Sequence, residues 1–246
     1  MDKLYFSGLP GTVLALVTLA LAGCGGGGGG GGASAPTGLA TSTLSFPLKS
    51  ALEIQAANGF MASLNANGDG SVPTNGDCAG TFNLSGGLAN TATTFEGVPA
   101  FSAVQVLNIS FTNCIPATIA ETTTVYYNST YVPLGAQILG GNYGMYAPLP
   151  TYPSVVKVGD TAIVGTAQFF SDSTKAVPTG RMDVSFVVEP DTADTAIINV
   201  IFKVYDAASA LSATEQDKYR IASTGALTLI SVDIQQVNPA LHLVFR

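Results

Sequence analysis

The chain has 246 residues, of which 47% are hydrophobic and only 10% charged, with nine basic against sixteen acidic side chains and a formal net charge of −7. No stretch gathers Lys or Arg into a basic stripe, which argues against nucleic acid as a partner and against polybasic attachment to a membrane. Apolar and β-branched residues are too plentiful beyond the N-terminus for a disordered chain, and the length allows one sizeable core.

Leu9 to Ala22 is an apolar run broken only by Pro10, Gly11, Thr12 and Thr18. It has the length of a signal-peptide core and falls short of the ~20 residues of a membrane span. The run ends in Leu21-Ala22-Gly23-Cys24, which matches the lipobox at every position. Across residues 1–24 the chain therefore resembles the bacterial lipoproteins. That resemblance implies cleavage before Cys24, a diacylglyceryl thioether on its sulfur, an acyl group on the new amine, and a membrane partner reached through this covalent lipid. At ~0.8 kcal/mol per buried methylene, two or more chains anchor stably where one is marginal. Glycine rather than aspartate after Cys24 implies the outer membrane, facing the periplasm or the cell surface. The alternative is a plain secretory signal or hydrophobic anchor with an incidental cysteine.

Gly25 to Gly32 is an unbroken run of glycine, and up to Gly38 there is no charge and no large apolar residue. Taken as a Gly-rich coil, residues 24–46 have an end-to-end distance of roughly 25 Å, enough to hold a domain clear of the headgroups. A phosphate cradle would need a strand before the glycines and a helix after them, and neither is readable. The chain thus divides into a signal peptide (1–23), a lipidated cysteine with its tether (24–45) and a single β-rich domain (46–246). With Cys24 taken by lipid, Cys78 and Cys114 remain as an even pair in an exported chain, so a disulfide is expected. On the chain-entropy account, closing that loop contributes about 3–4 kcal/mol. Two free thiols, or half of a metal site completed by carboxylates and His242, are the alternatives, and no CxxC supports the second.

Within the domain, Leu48, Leu52, Ala56 and Phe60 recur at every fourth position, which predicts one helix over residues 46–64 with Pro47 in its first turn. Asn65 to Gly70 then reads as a turn. Residues 104–113 alternate Leu107, Ile109 and Phe111 against polar residues, the pattern of a half-buried strand. Strands are further predicted at 161–170, 181–188, 195–205, 214–222, 226–237 and 241–245, with short connections that make neighbours antiparallel. Met182, Val184, Phe186 and Val188 alternate with polar residues, whereas 196–204 is apolar on both faces and should be covered on both. Tyr127 to Leu134, Tyr205 to Leu211 and Tyr219 to Leu227 repeat a hairpin-like spacing without a fixed period. The fold class is mainly β: an antiparallel meander, partial barrel or sandwich with one N-terminal helix.

Residues with catalytic chemistry are few. His242 falls on the polar face of the last strand, and no G-x-S-x-G elbow accompanies it. Asn65-Ala66-Asn67-Gly68-Asp69-Gly70-Ser71 resembles the first half of a calcium loop but lacks an acid at its first position and the Glu at its twelfth, so an Asn/Gly turn explains it without a metal. Glu189, Asp191 and Asp194 crowd one turn, where solvated carboxylates are the ordinary outcome. No cofactor, metal or catalytic residue is expected. The most suggestive feature is a run of tyrosines ending in Tyr143, Tyr146 and Tyr152, set among Gly and Pro from 140 to 153. It reads as a loop without regular structure, either a lid packed on the sheet or a recognition surface for an envelope protein or polymer. Three functions compete: a non-catalytic lipid-anchored binding or structural protein, a carrier enclosing an apolar ligand in a half-barrel, and a carboxylate hydrolase such as a glycosidase. A filled core favours the first, a large apolar cavity the second, and paired carboxylates in a cleft the third.

Overall fold

A computed structural model of the chain describes residues 41–72, 76–112, 118–237 and 241–246. One helix, α1 (Leu48–Asn58), precedes thirteen strands: β1 (Phe60–Val72), β2 (Gly76–Gly86), β3 (Thr91–Phe95), β4 (Val98–Phe111), β5 (Thr118–Tyr127), β6 (Pro133–Ile138), β7 (Tyr143–Tyr146), β8 (Thr161–Phe170), β9 (Pro178–Pro190), β10 (Thr195–Asp206), β11 (Leu211–Ala222), β12 (Leu227–Gln236) and β13 (Leu241–Phe245).

The helix is shorter than its periodicity predicts. Gly59 ends it with a φ of 73°, and a Cβ there would lie 2.6 Å from the Gly86 carbonyl oxygen, so only glycine fits. Phe60 to Leu64, expected to be helical, instead opens β1 and pairs with β2, placing Leu64 beside Phe82. The expected turn at Asn65 to Gly70 is also strand. Asn65, Ala66 and Asn67 pair with Thr81, Gly80 and Ala79, and the register then shifts before Ser71. Cross-strand pairing outweighs the turn preference of Asn and Gly, with an irregularity in the ladder where they cluster. The remaining strands follow the predicted ones closely, because each has a short polar connection and a pleat whose two faces differ.

Successive strands pair antiparallel from β4 through β13, β13 meets β1, β1 meets β2, and β2 returns to β4. Twelve strands thus make a nearly closed barrel. The β1–β13 join is the thinnest, held by Ser71 opposite His242 and by a reciprocal backbone pair between Asn65 and Arg246. The extra strand β3 shares an edge of β4 with β2, occupying its first half while β2 occupies its second.

Alternation decides what faces the lumen. Met182, Val184, Phe186 and Val188 of β9 are buried, as are Ile198, Val200, Phe202 and Val204 of β10. Arg181, Asp183, Lys218 and Arg220 stand on the outside. On these strands the apolar row faces the lumen and the charged row faces out. Among the described residues no helix is long and apolar enough to cross a membrane. The lumen-facing side chains form one continuous core in which Phe82 and Phe245 pack at 5.3 Å between ring centroids. Each fully buried Phe or Ile contributes about 1.5–3 kcal/mol. The outer face of β10 is covered as its sequence predicts. Ile197 and Asn199 are buried there, beneath ion-paired neighbours of β9 and β11: Glu189 with Lys218, and Asp191 with Arg220.

Candidate functional site

The strand directions send the β5–β6, β7–β8, β9–β10 and β11–β12 connections to one end of the barrel, and α1 sits at that end. Its Ala56 carbonyl accepts from the Ala89 amide, Ala51 packs near Gly225 of the β11–β12 turn, and Phe46 bridges to Val156 of the β7–β8 connection. Leu48, Ala51 and Ala56 are buried. Two small spaces flank the helix and share Leu52 and Tyr152. The inner one lies against Val164, Phe186, Ile198 and Val200, the outer one against Tyr127, Tyr131 and Pro133, and each offers about 20 Å³, room for one water. Two polar groups are stranded at this seat. Gln55 is 4% exposed with neither amide atom hydrogen-bonded, and the Tyr152 hydroxyl is buried without a partner.

The tyrosine-rich segment is not the irregular loop its Gly and Pro content predicts. Tyr143 to Tyr146 forms β7 between β6 and β8, and pleating divides the rings. Tyr146 points into the lumen, where burial and the nearby Tyr127 raise its pKa. Tyr152 is raised for the same reasons, burial first and then Tyr146 and Tyr127. Tyr143 faces outward but is covered by the β3–β4 hairpin, which crosses the outside of the barrel. Phe95 stacks on Tyr143 at 5.4 Å and on Tyr126 at 4.7 Å. A Cβ on Gly135 would lie 2.2 Å from the Gly144 carbonyl oxygen and 2.5 Å from the Phe95 ring, which explains the glycine there. At the hairpin tip Glu96 accepts from the Tyr143 hydroxyl and pairs with Lys175 of the β8–β9 turn. Tyr143 and Tyr146 are 5% and 6% exposed and Tyr152 is half-buried, so the three do not form the exposed aromatic surface that recognition would use.

Away from the helix the lumen changes character. Ala213, Glu215, Asp217, Tyr219 and Ile221 face inward from β11, leaving Glu215 1% and Asp217 0% exposed. Their cross-strand neighbours are Phe202 and Val200 on β10, and Ile234 and Val232 on β12, so the two acids lie between apolar side chains. Tyr219 donates to Asp217 at 3.2 Å, while Glu215 Oε1 and Asp217 Oδ1 have no partner. Burial, then the neighbouring Asp217 and Glu121, raises the Glu215 pKa, and burial raises Asp217 as well. Ionisation of either acid in this dry site is disfavoured by burial, and that of Glu215 further by Asp217. Glu121 of β5, which also raises Glu215 electrostatically, is half-buried and pushed up to about 7 by burial, with Thr123 donating to it.

Sequence reading missed this layer because both faces of β11 are polar and periodicity alone does not phase it. The usable signal was Lys218 and Arg220, which require the wet face and so turn Glu215 and Asp217 inward. The pair has carboxyl chemistry but is closed to substrate. The remaining candidates stand on the outer wall or in a turn. His242 faces outward on β13, with Nε2 3.0 Å from Asp233. Glu189 and Asp191, two of the three crowded acids, are ion-paired with Lys218 and Arg220 rather than simply solvated, and the Asp194 amide donates to Thr192. Among the described residues no group of three His, Cys, Asp or Glu is arranged to hold a metal. Cys24 and Cys114 lie outside the described residues, and of Cys78 only the backbone, in β2, is described. The chain matches no protein-family model, no curated protein and no solved structure.

Proposed function

We propose that the chain is a lipid-anchored envelope protein whose barrel is a non-catalytic binding or structural module held off the membrane by its glycine tether. The observation that carries the reading for the domain is its occupied lumen. A helix fills one end, the spaces beside it hold about one water each, and the carboxyl pair on β11 is buried. Such a lumen suits neither a bulky ligand nor turnover of a substrate. The complete lipobox at Leu21–Cys24 supports the anchor, and the polar outer wall is what a barrel standing in water requires. The partner is an envelope protein or polymer met by that outer wall.

Metabolic labelling with a clickable fatty acid tests the anchor. Label and membrane association should be lost together in Cys24→Ser, and a variant that stays labelled and membrane-bound overturns it. A fluorescent fatty acid offered to the soluble domain tests the filled lumen. Saturable binding at micromolar probe would move the reading to a carrier of apolar ligands.

A further inference from the structure

We propose that β3 is a docking edge for a second copy of this chain, which adds its own β3 antiparallel about a two-fold axis. The proposal is independent of the lipoprotein reading. It starts from the ring. Every other described strand pairs with at least two neighbours, whereas β3 pairs with β4 alone and leaves its second edge open. Thr91, Ala92 and Thr94 are exposed, Thr93 is half-buried, and only Phe95 is buried.

The β3–β4 turn decides which backbone groups that edge presents. Glu96 and Gly97, with φ of 51° and 79°, make the two-residue turn with positive φ that joins hairpins. Such a turn is closed by Phe95 and Val98 bonding to each other through both amides. Alternation then directs the backbone of Thr91, Thr93 and Phe95 toward β4, and that of Ala92 and Thr94 outward. Pro99, opposite Thr94, agrees, because at that position the ladder needs no N–H from β4. Among the described residues neither Ala92 nor Thr94 has a further backbone partner.

This alternation is self-complementary. With Thr93 on the two-fold axis, Ala92 of one copy stands opposite Thr94 of the other, and each such pair can exchange both of its hydrogen bonds. The two Thr93 residues then face each other in the closely spaced position, where threonine pairs are favourable. Charge does not oppose the contact. Thr91 to Phe95 contains no acid and no base, although the chain carries a net charge of −7. Glu96, just beyond the strand, is paired with Lys175 and falls toward Asn90 of the other copy rather than toward its own counterpart. Exposed Leu88 and Val98 lie toward opposite ends of the strand, so the antiparallel arrangement brings an apolar end of one copy to an apolar end of the other. Sheet edges that stay single are commonly guarded by lysine, proline or a bulge. β3 carries no such residue, and its ladder with β4 runs without a shift. Five residues make a contact well below the ~1,200 Å² of a stable interface, so the dimer is weak and reversible.

Sedimentation of the full chain in detergent micelles, followed against protein concentration, tests the association. The chain should pass reversibly from monomer to dimer. Ala92→Pro removes one outward N–H from each copy and none from the β4 ladder, and should raise the dimer dissociation constant at least about tenfold. Directed disulfides test the register without altering the backbone. Thr93→Cys chains should form a covalent dimer under mild oxidation, with peptide mapping placing the bond between the two introduced thiols. Ala92→Cys chains should crosslink when mixed with Thr94→Cys chains but not with themselves. Opposed residues stand about 5.5 Å apart at Cα, and the two copies of Ala92 lie beyond the ~7 Å a disulfide spans. A monomer at every concentration overturns the proposal. So does a dimer undiminished by Ala92→Pro, or Ala92→Cys chains that crosslink alone as readily as in the mixture.

Discussion

In one part of the lumen α1 presses Leu48, Ala51 and Ala56 onto apolar walls, while on β11 Glu215 and Asp217 stand among valine, isoleucine and phenylalanine side chains. The same ring of strands thus buries a helix against apolar side chains and two carboxyls between apolar side chains. The difference follows from what each wall offers. The helix brings mostly small apolar residues to a surface that already repels water, so its seat depends little on pH. The carboxyl layer holds groups whose charge depends on pH although they are shielded from solvent, so its contribution to stability varies with pH.

The largest effect should come from emptying the helix seat. Leu48→Ala is expected to cost about 2–5 kcal/mol in urea unfolding, with the same loss at pH 5 and pH 8. A loss that depends strongly on pH would mean that the two parts are not separate. Gln55→Leu should act in the opposite direction. It removes a buried amide without hydrogen bonds from the same seat and is expected to stabilise the fold by about 1–3 kcal/mol, read as an increased urea midpoint. Destabilisation by this change would show that Gln55 is a bonded part of the seat. The smallest effect is expected outside the barrel. Lys175→Ala opens the partly exposed clasp with Glu96 and should change stability by less than about 1 kcal/mol, because aromatic stacking rather than the ion pair holds the hairpin down.

The wall was more legible in the sequence than what the wall encloses. Residues 161–170 and 241–245 emerge as strands with the predicted bounds, and the inward row of β9 is the one its alternation gives. These are local properties of a pleat with one wet face. The tyrosines show where such reading stops. Gly140 to Pro153 has the composition of a loop, yet Tyr143 to Tyr146 is recruited as a strand by β6 and β8, which the local sequence does not contain. Phe95 over Gly135, forty residues apart, is a contact that no local period encodes. The carboxyl layer was hidden for a related reason. Glu215 and Asp217 look like ordinary surface acids until the ring places β5 opposite β11, and ring order is a property of long-range pairing.

The pH dependence of the carboxyl layer is tested most directly by the unfolding free energy of the unmutated domain from pH 5 to pH 8. Acids with raised folded-state pKa values contribute stability that is present below their unfolded values, near 4, and is lost as pH climbs toward the folded ones, about 7 for Glu121 and about 8 for Asp217. The lowered acids Glu96, Asp172 and Asp191, held down by their hydrogen-bond partners, have the opposite sign and act only as pH falls below the ordinary carboxylate range. Stability should therefore decline across this window by at least about 1 kcal/mol, roughly the equivalent of one pKa unit. A free energy that stays level or rises from pH 5 to pH 8 would contradict acids held in their neutral form by burial.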